Sequence, residues 1–243
     1  MRYLTLLLLL IPASVTQAAD ACYPARLAGS YAFQLAGLTN LSGTPQPTVS
    51  LGRIAFDDSG KVSGTSSIKL SGFLLGNPVT GTYEAKQDCT VTWQLQDDSG
   101  AYQHFSGRYT LDGIRVQFRQ TDPGGVTNGV MQKTSDTCAS SDLQRTYSFT
   151  VSGSTTPMNP GEGAHTVSGK GTLDTLRDGN FQVDSDCAVH FTLTLPSPDG
   201  QSASPPMTMR GFLVNGGKEI LAFETDPGAM VSARLTALSA PLM

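Results

Sequence analysis

Apolar and polar residues alternate along much of this chain. From position 89 to 95, Cys, Val, Trp and Leu occupy every second position, and Thr or Gln lies between them. From 187 to 193, Cys, Val, Phe and Leu alternate in the same way. A period of two over this length is typical of half-buried β-strands, and no stretch longer than one turn has the helical period of 3.6. The pattern therefore predicts an all-β fold.

Further alternating segments are separated by Gly, Pro, Asn and Asp, which are typical of turns. In the first half they predict about eight strands, at 29–36, 49–56, 61–70, 79–96 with a tight turn near 87–88, 102–111, 114–120 and 126–133. In the second half they predict about seven, at 147–152, 165–174, 180–186, 188–195, 207–214, 219–224 and 230–238. Gly76-Asn77-Pro78 is expected to be a turn. Asp-Gly pairs favour two-residue hairpins, so neighbouring strands should be antiparallel.

Two sequence motifs occur twice. GTYEAKQDCTVTWQL at 81–95 is matched by GNFQVDSDCAVHFTL at 179–193, and Thr-Asp-Pro-Gly at 121–124 recurs at 225–228. Pro and Gly at those positions suit a tight turn, so the second motif is interpreted as structural. The repeats predict two tandem antiparallel β-barrel or sandwich units of about seven to eight strands each, at residues 20–134 and 135–243.

Residues 1–19 have the features of an export signal. A positive charge at position 2 is followed by an apolar run at 4–11, which is too short to span a bilayer, and small residues allow cleavage after Ala18 or Ala19. The alternative, lipidation of Cys22, is disfavoured by the Asp two positions before it and by the lack of a nearby Leu. We expect an exported protein, periplasmic or extracellular.

The four cysteines are expected to form disulfides, as is usual in exported chains. Each predicted unit has one early and one central cysteine, so the duplication predicts Cys22–Cys89 and Cys138–Cys187. No cysteine lies within a few residues of another cysteine or of a histidine, so no metal site is predicted.

Charge and hydropathy exclude two classes of partner. The net charge is −4 and no cluster of Lys and Arg occurs, so the basic surface that nucleic acid needs is missing. No second apolar run approaches membrane-spanning length, so no transmembrane segment is expected in the mature chain. The oligomeric state does not follow from the sequence.

No catalytic residue or cofactor is predicted. The histidines, His104, His165 and His190, have no recognisable Ser or Cys nucleophile beside them, and His190 falls on the polar side of its strand. Asp57-Asp58 and Asp97-Asp98 each precede Ser-Gly, a pattern that suits turns better than a calcium loop. A catalytic site assembled from distant parts of the chain stays an open alternative.

One motif carries a resemblance to a known family. Gly29-Ser30-Tyr31, at the start of the first strand, resembles the Gly-x-aromatic start of calycins, the lipocalin and avidin class, although Trp is the usual aromatic there. The chain also looks like exported bacterial proteins built from tandem strand-rich units with the Asp-Cys pair. A calycin-like barrel implies an apolar lumen that holds a small hydrophobic molecule.

Binding of a small hydrophobic ligand in the first barrel is therefore the leading functional hypothesis. The expected ligand-binding residues are Tyr31, Phe33, Tyr83, Trp93 and Phe118. The first alternative is a structural or interaction module of the cell envelope with filled barrels, and the second is a cyclase or isomerase acting in the lumen. The size of the lumen distinguishes the first two.

Alternation also predicts which side chains share each interior. In the first unit we expect Tyr31, Phe33, Ile54, Phe56, Tyr83, Trp93, Ile114, Val116 and Phe118. In the second unit we expect Tyr147, Phe149, Phe181, Val189, Phe191, Leu193, Ile220 and Phe223. The second unit has fewer strands and is expected to be the narrower and more solidly packed.

Overall fold

The computed structural model of the protein describes residues 21–41, 44–144, 146–156, 163–177, 180–195 and 204–238. The fold is all-β, as predicted, and consists of a closed eight-stranded antiparallel barrel and a second, seven-stranded sheet. Within the described residues no helix is both long and apolar enough to cross a membrane. The predicted export signal at 1–19 lies outside them.

A short 3-10 helix, Pro24–Leu27, leads into the barrel. The barrel strands are β1 (Gly29–Leu41), β2 (Thr44–Phe56), β3 (Lys61–Leu70), β4 (Phe73–Ala85), β5 (Thr90–Asp97), β6 (Tyr102–Tyr109), β7 (Arg115–Gln120) and β8 (Val126–Lys133). Each strand pairs with the next in sequence, and β8 pairs with β1 to close the barrel. The alternation therefore identified all eight strands, and the bounds predicted for the third and eighth agree with the structure.

The turn predicted at 76–78 is wrong. Those residues lie inside β4, and the hairpin between β3 and β4 turns instead at Ser71 and Gly72, with φ of 50° and 82°. Two successive residues with positive φ form the tight turn whose twist suits neighbouring strands. Pro78 is accommodated opposite Thr65 with its ring exposed.

A second 3-10 helix, Ser140–Asp142, follows the barrel. The strands of the second sheet are β9 (Thr146–Thr155), β10 (Thr166–Asp174), β11 (Gln182–Val183), β12 (Ala188–Leu193), β13 (Met207–Val214), β14 (Glu219–Glu224) and β15 (Ala229–Ala237). Their order is β10-β9-β15-β14-β13-β12-β11, so the described strands do not close into a barrel. By pairing, β10 corresponds to β2 and β11 to β4. No strand corresponding to β3 occurs in the described part of that connection.

The two central cysteines have the same local structure. Cys89 and Cys187 adopt a left-handed backbone with φ of 68° and 69°. Their disulfides, Cys22–Cys89 and Cys138–Cys187, are the predicted pairs. Each early cysteine also donates its backbone N–H to the turn before the central one, over 3.0 Å to the Gln87 carbonyl and 3.1 Å to the Ser185 carbonyl.

The barrel and the second sheet pack against each other through a third apolar cluster. Its members are Ala32, Val49, Leu51, Ala188, Phe212, Val214, Leu221, Phe223 and Met230, all buried. The outer surface of β1 and β2 therefore meets β13 and β14. Gln34 secures the contact because its amide donates to the carbonyls of Ala222 (2.5 Å) and Ala233 (3.0 Å).

A buried lysine closes one end of this contact. Lys69 is fully buried, and its ammonium donates to the carbonyls of Glu224 (3.0 Å) and Asp226 (2.5 Å). Burial lowers the pKa of Lys69, against the opposing effect of the two nearby carboxylates. The turn between β3 and β4 contributes a further hydrogen bond, because the Gly72 carbonyl accepts from the Gly228 N–H.

Two residues predicted for the interiors lie elsewhere. Ile114 is 37% exposed, because β7 begins only at Arg115 and the residue belongs to the preceding turn. Phe223 is buried against the barrel rather than inside the second unit. All six residues of β14 are buried, so alternation could not indicate which face of that strand points inward.

Candidate functional site

The five predicted ligand-binding residues come together inside the barrel. Tyr31, Phe33, Trp93 and Phe118 are buried in its core, and Tyr83 is half-buried and packs against the same cluster. They lie among other apolar side chains, which come from all eight strands, rather than around an open space. The side chains themselves therefore fill the region in which a ligand was expected.

Aromatic contacts connect this core. Trp93 lies 5.1 Å from Phe118 and 5.2 Å from Phe105, between ring centroids. Phe56 lies 4.8 Å from Tyr83 and 5.6 Å from Tyr31. Most of these pairs meet edge to face, which is a favourable arrangement for aromatic rings. Phe105 was absent from the predicted interior although it alternates with polar neighbours.

A small space of about 40 Å³ remains at one end of the barrel. Its lining is Ser66, Ile68, Asn77, Val79, Leu95, Asp97, Ala101 and Gln103. A water molecule takes about 30 Å³ of liquid, whereas drug-sized ligands need pockets of about 300 Å³ or more. The space accommodates water and is too small for a hydrophobic ligand.

The opposite end of the barrel is closed by Tyr31. Its hydroxyl donates to the Gly113 carbonyl, and Tyr147 makes the corresponding bond to the Gly217 carbonyl at 2.6 Å. Burial is the main cause that raises the pKa of both phenols. Both hydroxyls therefore stay protonated at neutral pH and act as structural donors.

Outside the barrel, the surface of β4 to β7 is free of the second sheet and carries polar side chains. Cross-strand pairing aligns Glu84, Thr92, Ser106, Arg119 and Asn128 in one row over β4 to β8. A second row consists of Thr82, Gln94 and His104, and a third of Thr90, Arg108 and Gln117. We call this surface, defined by the three rows, the free face.

Two adjoining grooves cross the free face. The first, of about 440 Å³, is lined by polar residues of the first two rows together with Thr121 and the strand segments that carry Tyr83, Trp93 and Phe105. The second, of about 390 Å³, is lined by Thr90, Ser106, Gly107, Arg108, Gln117, Phe118, Arg119 and Asn128. Ser106 lines both, so the grooves form one elongated depression.

His104 has a fixed orientation at the first groove. Its Nδ1 lies 2.7 Å from Asp122 Oδ1, and its backbone N–H donates to Asp122 Oδ2 over 2.8 Å. A carboxylate can only accept, so Nδ1 carries the proton and Nε2 is left for other contacts. The Tyr102 ring stacks beside it at 6.5 Å. These contacts give the free face a pre-oriented polar group next to an exposed aromatic ring.

The two arginines of the second groove are close neighbours. Arg108 pairs with Gln117 and Ser106 with Arg119, so the arginines are diagonal across β6 and β7. The Arg108 guanidinium donates to the Asp88 carbonyl over 3.1 Å. Hydrogen bonds from Thr90, with a smaller effect of the Arg108 charge, lower the pKa of the Asp88 carboxyl. The side chain of Arg119 has no hydrogen bond or ion pair with any residue in the described part of the chain.

A third depression lies between the barrel and the second sheet. It measures about 300 Å³ and is lined by Ala36, Gly37, Leu38, Pro47, Thr48, Val49, Ser152, Gly153, Ser154, Met230 and Ser232. Its walls are apolar side chains, glycines and small hydroxyl residues. We call it the crevice.

The acidic pairs form turns. Asp57 Oδ1 accepts the N–H groups of Ser59 and Lys61, each at 2.8 Å, and Asp97 Oδ1 accepts those of Ser99 (3.0 Å) and Ala101 (3.1 Å). These hydrogen bonds stabilise hairpins without a metal ion. Among the described residues no three His, Cys, Asp or Glu side chains form a group that could hold a metal.

Sequence comparisons add no family to this description. No family model matches the chain, and no curated protein is significantly similar to it.

The sequence did contain a signal for the His104–Asp122 contact. Asp226, in the second Thr-Asp-Pro-Gly motif, accepts the Thr208 N–H over 3.0 Å, and the two residues are 18 positions apart, as His104 and Asp122 are. In both copies of the motif, the Asp carboxylate therefore accepts the backbone N–H of the residue 18 positions earlier in the chain. In the barrel that position is a histidine, which the sequence pattern indicated only as a strand residue.

Proposed function

We propose that this protein is an exported interaction module of the cell envelope, whose barrel is filled by its own side chains and whose partner binds outside. The aromatic cluster around Trp93 is the observation that carries this proposal. It occupies the place where a calycin-like protein would hold its ligand, and the space at the end of the barrel beside it measures about 40 Å³. A rigid, solid barrel is well suited to presenting an outer surface.

We also propose that the barrel and the second sheet are tandem copies of one unit, at 20–134 and 135–243. The matching left-handed cysteines, Cys89 and Cys187, and the matching tyrosine hydroxyls, of Tyr31 and Tyr147, support this proposal. Export is supported by the two disulfides, because such bonds persist in oxidising compartments. A calycin-like ancestry remains a proposal based on the resemblance of one motif and on the barrel architecture.

Binding of a small hydrophobic molecule is the second candidate, and the crevice favours it. Its volume of about 300 Å³ reaches the lower limit of small-molecule pockets, and Leu38, Val49 and Met230 give it apolar walls. The ligand would then lie between the two sheets rather than in the lumen. A lumen cyclase or isomerase has less support, because no His, Asp or Glu is buried in the described barrel.

Titration with apolar fluorescent dyes tests the proposed function. We expect N-phenyl-1-naphthylamine and similar dyes to leave the emission of Trp93 unchanged, because the filled barrel excludes them. A dye in the crevice can also quench Trp93 by energy transfer, so the decisive result is saturable quenching at micromolar dye that persists in the crevice variant Leu38→Asp. That result would contradict the filled barrel and support the lumen ligand.

The fluorescence of the dye itself tests the crevice. If the dye binds there, Leu38→Asp should abolish its enhancement by placing a charge on the wall. Val126→Asp is the matched control, because Val126 is paired with Leu38 and 72% exposed but does not line the crevice. Equal loss in both variants would exclude the crevice as the binding site.

A further inference from the structure

The free face of the barrel is a continuous polar surface of a definite length. The row from Glu84 to Asn128 crosses five strands, and with about 4.8 Å between strands it spans roughly 19 Å. The two grooves of about 440 and 390 Å³ lie along it and share Ser106. An elongated molecule that crosses the strands would occupy both grooves.

We propose that the free face binds an acidic oligosaccharide, with a carboxylate at Arg108 and Arg119 and uncharged sugar units over the first groove. This inference rests on the proposed function, because it supplies the outside partner of the filled barrel. A sugar unit of an extended chain is similar in length to the spacing between strands. Successive units would therefore meet successive side chains of the row.

Charge supports an anionic group at the second groove. Arg108 and Arg119 lie on diagonal positions, where Cβ atoms are within about 8 Å, so both guanidiniums can reach one point between them and their like charges repel each other, although Asp88 interacts with Arg108. No Asp or Glu lines this groove, and Arg119 has no acidic partner in the described chain. A carboxylate between the two guanidiniums would relieve the repulsion and accept hydrogen bonds from both.

The first groove has the chemistry that sugar hydroxyls require. Gln94 donates and accepts, Thr92 and Ser106 do the same through hydroxyls, and Glu84 accepts. His104, oriented by Asp122, offers Nε2, and the neighbouring Tyr102 ring is 54% exposed and can pack on the apolar face of a sugar ring. Sugars combine a dense set of hydroxyl groups with such apolar faces.

Other ligand classes fit the free face less well. An apolar ligand would find only polar side chains in its three rows. Nucleic acid would need many cations, whereas the face has two arginines in a chain of net charge −4. A protein partner would need an apolar centre for its anchoring residues, which the rows do not provide.

Titration of isotope-labelled protein, followed by NMR, tests the inference with two defined probes. A tetramer of β-1,4-linked glucose units whose terminal unit is oxidised to glucuronate should shift amide signals of β4 to β7 in a saturable way. Cellotetraose, which has the same linkage but no carboxylate, should bind at least about tenfold more weakly. Shifts confined to the crevice, or no shifts with either probe, would overturn the proposal.

Variants identify the groups responsible. Arg119→Gln should weaken binding of the glucuronate-terminated tetramer about tenfold or more, while its effect on cellotetraose should be less than twofold. Arg177→Gln is the matched control, because Arg177 is an exposed arginine in the turn after β10, away from the free face. Gln94→Ala should weaken both probes. Equal effects of Arg119→Gln and Arg177→Gln would mean that only the net charge matters, which would contradict the assigned site.

The two proposals can fail separately. If neither sugar binds and dyes still leave Trp93 unaffected, the sugar inference fails and the filled interaction module stands. If dyes quench Trp93 in the Leu38→Asp variant as well, the proposed function fails whatever the sugars do. If a protein captured from the host envelope, rather than a sugar, shifts the same amides, the free face is a protein interface and the inference is wrong.

Discussion

Gln120 and Glu224 hold the same position, directly before a Thr-Asp-Pro-Gly turn, at the ends of β7 and β14. The Gln120 amide donates to Asp122 Oδ2 over 3.0 Å. The Glu224 side chain makes the corresponding contact with Asp226, and a carboxyl can donate there only while it keeps its proton. Burial, followed by the negative charge of Asp226, raises the pKa of Glu224 to about 7.

Protein stability should therefore depend on pH through Glu224. Its pKa in the folded state is above the ordinary value of 4.5, so the folded protein favours the protonated form. The contribution of protonated Glu224 to the free energy of unfolding is complete below pH 4.5 and decreases as the pH rises to about 7. It should amount to at most about 3 kcal/mol. Urea unfolding between pH 5 and pH 7.5 measures it.

Glu224→Gln should flatten this dependence, because the amide copies Gln120 and donates at every pH. The reciprocal variant, Gln120→Glu, should introduce a similar loss of stability with rising pH in the barrel. An unchanged pH slope in Glu224→Gln would show that another group is responsible.

Each disulfide should contribute substantially to the free energy of unfolding, one in the barrel and the other in the second sheet. The chain-entropy model assigns about 4 kcal/mol to each, as an upper guide, for cysteines 67 and 49 positions apart. Replacing Cys22 and Cys89 together with serine should destabilise the barrel, and the same change at Cys138 and Cys187 should destabilise the second sheet. Denaturant unfolding of both variants measures this.

Non-reducing peptide mapping checks the pairing on which this prediction depends. Peptides joined through Cys22 and Cys89, and through Cys138 and Cys187, are expected. A peptide that joins Cys22 to Cys138 would contradict the assigned bonds, and a lipid on Cys22 would restore the lipoprotein alternative.

Trp93 should be a reporter of the barrel core. It is only 4% exposed, so its emission should be blue-shifted relative to a solvated tryptophan. Trp93→Ala should cost about 3–5 kcal/mol by leaving a cavity, and Trp93→Phe should cost less. Tyr102→Ala is the control for loss of an aromatic ring, and since Tyr102 is 54% exposed it should have little effect. An emission maximum at the solvated position would contradict the burial.

Two glycines allow close contact between strands. A Cβ on Gly37 would lie 2.1 Å from the Val126 carbonyl oxygen, and one on Gly153 would lie 2.2 Å from that of Met230. Alanine at either position should cost about 1–3 kcal/mol through overpacking. Gly76→Ala is the control, because its nearest neighbour, Ser67 Oγ, is 3.5 Å away. Thermal unfolding of the three variants tests the difference, and equal stability would contradict it.

Much of the fold was accessible from the sequence because alternation and turns are local. Val126–Lys133 and Met207–Val214 have the predicted bounds. The disulfide pairing followed from the repeated Asp-Cys stretch. Phe223 was assigned to the wrong face, because β14 is buried on both sides and its sequence pattern does not show which face points into the core. The open second sheet could not be foreseen, since closure depends on strands far apart in sequence.

The candidate site was predicted less well. Tyr31 and Trp93 were expected in the barrel interior and lie there, but alternation identifies inward side chains without measuring the space between them. The free face depends on which outward residues the second sheet covers. That is a property of packing between units, so the proximity of Arg108 to Arg119 became evident only once the strands were in register.

The difference between the closed barrel and the open sheet has a consequence for aggregation during refolding. A closed barrel exposes no unpaired strand, whereas β10 and β11 each have a free edge in the described chain. An edge strand can pair with another molecule, and a lysine on it, such as the exposed Lys170 in β10, discourages such pairing. We therefore expect the second sheet, rather than the barrel, to set the protein concentration above which refolding chains associate.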